Sequence, residues 1–178
     1  YTLEDIQNKG YSITEFRLAV IASQYQNEAE FSWETMHAAR VRLQRFKEAS
    51  DLRYQPTTTN KVHTFDTKAI LDALANNLNT PEALSLVDTQ LQVYLEEGVN
   101  KDQISDLTAY LTVIDAVFGL GLLDSKDISQ QDKDILAKRL LARTNKQWQE
   151  SDALRDELAT NNIKVRDTSV GQIWSWTA

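Results

Sequence analysis

The chain has 178 residues, with 25% charged and 42% hydrophobic residues, which is ordinary globular usage and excludes a disordered chain. It has no Cys and only His37 and His63, which removes disulfides and thiol chemistry and leaves a His-based metal site or catalytic triad poorly supplied. The net charge of −7 hides an asymmetry: residues 80–132 carry 2 basic and 10 acidic groups, whereas residues 133–178 carry 8 and 6. With 5 Gly, 2 Pro and long runs of helix-forming residues, a mainly α fold is expected. No apolar run reaches the ~18–20 residues that span a bilayer, and Tyr1-Thr2-Leu3-Glu4-Asp5 does not resemble a signal peptide.

Ser12-Ile13-Thr14-Glu15 reads as a capping box opening a helix to about Ser23, apolar enough to be buried. Ser32 caps a second helix whose Met36, Ala39, Leu43 and Phe46 form one inner stripe. Arg40, Arg42, Arg45 and Lys47 take its other faces. Two readings fit them: phosphate contacts, with Arg40 and Arg45 as candidates, or a solvated helix face.

Residues 51–63, with Pro56 and Thr57-Thr58-Thr59, read as a linker between helical units. A helix is expected from about Asp66 to Asn77, with Ile70, Leu71 and Leu74 inward. The next is capped by Thr80, with Pro81 at its first position, striped by Leu84, Val87, Leu91 and Tyr94, and stopped by Gly98. Ile104, Leu107, Leu111, Ile114 and Phe118 recur at spacings of 3 and 4 and give the strongest periodic signal. After Gly119-Leu120-Gly121 comes a helix carrying Ile135, Leu136 and Leu140. These four helices read as an antiparallel bundle. Ser151 to about Thr160 is a further helix, and Ile163-Lys164-Val165 with Gln172 to Trp176 reads as a short hairpin around Gly171.

The sequence holds no phosphate loop, Ser-His-Asp set or metal spacing, and no catalytic residue is assigned. The informative group is Arg143, Trp148, Asp152, Arg155 and Asp167. At 100° per residue, Asp152 falls about 40° from Trp148 and Arg155 about 20° to its other side, with Leu154 and Leu158 roughly 80–120° away. Trp148 therefore shares the polar face. An aromatic ring among Arg and Asp can stack on an unpaired base; it can equally cover the joint between helix and hairpin.

Beside this reading stands a family resemblance. Tyr1 to Ile6 resembles the segment following the KMSKS signature of cysteinyl-tRNA synthetases, a class I family. Phe16-Arg17-Leu18-Ala19 through Ser23-Gln24-Tyr25 and Phe31-Ser32-Trp33-Glu34 resemble its FRxxLLSxHYR…FSxE stretch, with Gln24 for His and Gln26 for Arg. Leu78 to Leu84 is similar to its FNTPEAL element, and Ala142-Arg143 with Lys146-Gln147-Trp148 to ARxxKDW. Ser151 to Leu158 is similar to ADxLRDEL, and Val165 to Gly171 to VxDTPQG, with Ser169-Val170 for Pro-Gln. The end departs from the family, having Trp174-Ser175-Trp176-Thr177-Ala178 where a Trp is often followed by Arg residues.

The resemblance implies a post-KMSKS helical connector at 1–50, a helical bundle of the DALR type at 64–145, and an anticodon-binding helix and hairpin at 146–178. It carries over Arg143, Trp148, Asp152 and Asp167 as anticodon contacts; Lys146 and Arg155 join Arg40 and Arg45 as backbone candidates. The implied partner is tRNA-Cys, read at its GCA anticodon, together with the protein's own N-terminal catalytic domain, where ATP and zinc would act. No cofactor or metal is expected here, nor any membrane. A cytoplasmic monomer, inactive alone in cysteine ligation, is the expectation. Two alternatives remain: the related cysteine:glucosaminyl-inositol ligase, and a free-standing helical interaction protein.

Overall fold

A computed structural model describes residues 1–28 and 31–177, so Ala178 of the divergent tail lies outside the described residues. The expected fold class holds: among the described residues helices dominate, and one antiparallel hairpin follows them. None of the described helices is long and apolar enough to cross a membrane.

Helix α1 (Leu3–Asn8) is short, and α2 (Ile13–Ile21) starts at the expected capping box, with Ser12 and Glu15 exchanging bonds of 3.2 and 2.6 Å. Burial of α2 is narrower than its composition suggested. Only Glu15 and Leu18 are fully inside, while Ile13 and Val20 face solvent, because the helix rests one face on α3 (Trp33–Ser50). Met36, Ala39, Leu43 and Phe46 of α3 are all buried, as their spacing required.

Residues 51–63 are packed where a linker was expected. Asp51–Tyr54 form a 3-10 turn with Leu52 wholly inside, and the Thr57 N–H donates to Val99 O at 2.9 Å. Helix α4 (Thr67–Ala75) buries Ile70 and Ala73, and Leu71, expected inward, is exposed. Helix α5 (Thr80–Glu97) is capped by Asn79 instead of Thr80: Asn79 accepts from the Glu82 N–H at 3.3 Å and donates to its carboxylate at 2.7 Å. An Asn one residue earlier satisfies the same orphan donor and gains a second bond. Helix α6 (Ile104–Phe118) buries Leu107, Leu111, Ile114 and Phe118 and ends at left-handed Gly119.

One hydrophobic cluster joins α2 through α6, from Leu18 to Leu122, without interruption at residues 51–63. Helix α7 (Gln130–Thr144) does not complete that bundle. Its Ile135 and Leu136 enter a second cluster with Leu158 of α8 (Trp148–Thr160) and with Ile163 and Trp174 of the hairpin. Leu140, expected inward, is half exposed, because Arg139 takes the inner position.

The hairpin pairs β1 (Ile163–Thr168) with β2 (Gly171–Trp176), Ile163 opposite Trp176 and Asp167 opposite Gln172. Successive residues of a strand face opposite sides. Ile173 therefore joins the first cluster and Trp174 the second, so the two cores clamp the hairpin from both faces. Gln55 extends the clamp along the β2 edge, accepting from Trp174 N–H at 2.8 Å and donating to Trp174 O at 2.7 Å. This explains how a two-stranded ribbon, marginal alone, is held.

Candidate nucleic-acid interface

The site lies where α7 turns into α8 against the hairpin. The last turn of α7 is tied by Asn145 N–H to Leu141 O at 3.0 Å and Gln147 N–H to Ala142 O at 2.8 Å. Lys146 takes a left-handed φ of 59°, which reverses the chain within three residues and returns Trp148 toward Arg143. The Trp148 ring is 55% exposed, although Trp is a costly side chain to leave in water. The Arg143 guanidinium sits 5.6 Å from its ring centre. A cation over an exposed indole contributes about 0.5–1 kcal/mol.

Arg143 is itself held: its Nε lies 3.3 Å from Asp167 Oδ1 on β1. Asp167 is gripped more firmly by Arg139, whose two terminal nitrogens reach its two oxygens at 2.9 Å each. That double hydrogen bond holds the Asp167 carboxyl below the ordinary carboxylate range against the opposing effect of burial. The charges of Arg139, Arg143 and Arg155 reinforce it, so the group stays anionic through the physiological range.

Asp152 and Arg155 stand one turn along α8, exposed and paired at 3.2 Å. The structure thus brings Arg143, Trp148 and Asp167 into contact, with Arg155 close enough to act on Asp167 through its charge. Asp152 is linked to the group through Arg155. Lys146 projects from the exposed turn and has no ion-pair partner among the described residues. The two candidates on α3 belong to another surface. Arg40 is engaged by Glu15 at 2.8 Å, by Gly10 O, and by the Tyr11 ring at 3.9 Å. Arg45 is freer, 3.5 Å from an Asp88 that also binds Arg42.

Sequence reasoning missed Arg139 and Gln172. Arg139 is 1% exposed, and Gln172 accepts from it at 3.0 Å while donating to Leu136 O at 2.6 Å. A signal existed: Arg139 falls four residues after Ile135 and three after Leu136, on the inner stripe of α7.

Residues 125–174, which contain this whole junction, match the model of the cysteinyl-tRNA ligase anticodon binding domain. The chain belongs to the cysteinyl-tRNA ligase family. Over 98% of its length it is 32% identical to a cysteine–tRNA ligase of Novosphingobium aromaticivorans. It is 27% identical over 96% to that of Chlamydia trachomatis serovar D, and 29% over 88% to that of Oenococcus oeni. The chain spans only 36–40% of the length of these relatives. The matches favour neither the cysteine:glucosaminyl-inositol ligase nor a free-standing helical interaction protein.

Proposed function

We propose that this chain is the tRNA-binding portion of a cysteine–tRNA ligase and takes the anticodon loop of tRNA-Cys at the α7–α8 junction. The observation that carries the reading is the exposed Trp148 ring with the Arg143 guanidinium beside it. An unpaired base can stack on such a ring, because every base has a π-face. Arg143 supplies a cation to a neighbouring phosphate or base, and the exposed Asp152 carboxylate accepts from base N–H groups. Lys146 and Arg155 border the same surface as backbone contacts. On α3, Arg45 suits that role better than Arg40, whose Nε and one terminal nitrogen are engaged.

On this reading the cysteine-ligating chemistry, with its ATP and zinc, belongs to an N-terminal catalytic domain of the same protein, a cytoplasmic monomer. The present chain alone supports no cysteine-dependent ATP–pyrophosphate exchange. The test is binding of an RNA stem-loop bearing the GCA anticodon. Trp148→Ala should weaken it roughly 5- to 150-fold, the cost of losing one aromatic–base stack. Unchanged affinity in a normally folded variant would refute the reading.

A further inference from the structure

A buried relay runs beneath the exposed site. Gln172 and Asp167 are directly opposite each other on the two hairpin strands, and both hold the Arg139 guanidinium. Arg139 arises from α7, one turn before Arg143, so the two cations project along the same helix face toward one carboxylate. Asp167 Oδ1 receives both, Arg139 at 2.9 Å and Arg143 at 3.3 Å. An Arg this deeply buried is costly unless its partners are fixed, and its Nε has no partner at all. A hydrophobic side chain would fill this inner position of α7 at lower cost, so a purely structural role leaves the choice of Arg unexplained.

We infer that Arg139 is a positioning residue for the RNA-binding surface: with Gln172 it fixes the Asp167 carboxylate, and Asp167 in turn aims Arg143 across Trp148. The inference rests on the anticodon reading of this junction. It also adds a role for Asp167, whose Oδ1 takes Arg139 and Arg143 together: orienting Arg143.

A double-mutant cycle on the full chain tests this, using the same anticodon stem-loop and assay temperatures well below each melting point. Arg139→Lys keeps the charge but cannot span both oxygens of Asp167. It should weaken binding roughly 3- to 30-fold, as expected for residues coupled in one ion-pair network. In an Arg143→Ala background the same change should have no further effect. The Arg143 side-chain Nε–H, followed by NMR, should exchange faster with water in Arg139→Lys. Where Arg139→Lys is too unstable to assay, Gln172→Met serves, loosening Arg139 while leaving its fork to Asp167; the losses should be smaller and again absent without Arg143. Additive losses in the cycle, or wild-type binding by both Arg139→Lys and Gln172→Met while Arg143→Ala binds weakly, would overturn the relay alone. Wild-type binding by Arg143→Ala and Trp148→Ala would overturn the anticodon reading beneath it.

Discussion

Arg143 and Trp148 face each other at 5.6 Å across a turn that places Lys146 in the left-handed region. The arrangement leaves a ring and a cation on one exposed surface, with the cation's Nε committed to Asp167. If the remaining guanidinium nitrogens meet a phosphate, Arg143→Ala weakens binding equally for matched and substituted anticodons. The salt dependence should then become shallower by about 0.7 in the slope of log K against log salt for each single-strand phosphate lost. A titration series in KCl measures this. An unchanged slope with altered preference among anticodons would assign Arg143 to a base edge.

Asp152 should behave in the opposite way. A carboxylate repels phosphate but accepts from base N–H groups, so it contributes discrimination more than affinity. Its ion pair with Arg155 is exposed and contributes about 0–1 kcal/mol, so removing it should leave the fold intact. Asp152→Ala should reduce the preference for the matched anticodon over single-base variants by roughly 10-fold, near the low end for a hydrogen bond to a charged group. Equal losses on matched and variant stem-loops, at an unchanged melting temperature, would exclude base reading by Asp152.

Much of this was legible in the sequence where one physical rule acted without competition. The 3-and-4 spacing through Leu107, Leu111, Ile114 and Phe118 admits one buried face, and the capping box at Ser12 admits one helix start. Legibility failed where two rules competed. Asn79 and Thr80 are both good caps, and only the Glu82 side chain decides between them. Leu71 and Leu140 are apolar enough for a core, but neighbouring Ala73 and Arg139 take the inner positions. Helix periodicity put Trp148 on the polar face of α8 among Asp152 and Arg155; the expectation that charge lies outside hid Arg139, since a buried guanidinium is rare and its carboxylate comes from a strand 28 residues later. The second core was missed for a related reason, because α7 shows a bundle-like stripe whose partner could not be read from the stripe itself.

Gly98 tests how firmly residues 51–63 are held. It ends α5 at a φ of 72°, and a β-carbon there would run into the Thr57 side chain. Strain of this kind costs on the order of 1–3 kcal/mol for a residue other than Gly. Gly98→Ala should therefore lower unfolding free energy by about that much, and Thr57→Gly combined with it should recover the steric part only. Urea denaturation of the three variants measures both. A neutral Gly98→Ala would mean that both the end of α5 and the chain around Thr57 yield freely, as they would beside a true linker.

Asp51 offers a prediction with a defined pH signature. It is buried at the end of α3, with Oδ2 accepting the Trp176 N–H at 3.3 Å and Oδ1 lacking a hydrogen-bond partner. Burial raises its carboxyl above the usual range; Ser125, the Trp176 N–H and the charge of Arg53 oppose the rise, and Glu48 adds to it. The folded state therefore holds this proton more tightly than the unfolded chain does. Its contribution to stability is largest below the ordinary carboxylate pKa, declines as pH rises through the raised value, and is constant above it. Asp51→Asn keeps an acceptor for the Trp176 N–H and removes the buried charge. Relative to the wild type, the variant should gain stability progressively as pH rises from about 4, the ordinary carboxylate pKa. The gain should level off at about 1 kcal/mol or more, the lower range for relieving a poorly paired buried polar group. Groups such as Asp167, whose carboxyl is depressed, change stability in the opposite sense at lower pH and cancel in the difference between variant and wild type. Urea midpoints of both proteins from pH 4 to 8 supply that difference. A variant that instead loses stability relative to the wild type as pH rises would show that the ionised carboxylate stabilises the junction of α3 and the hairpin.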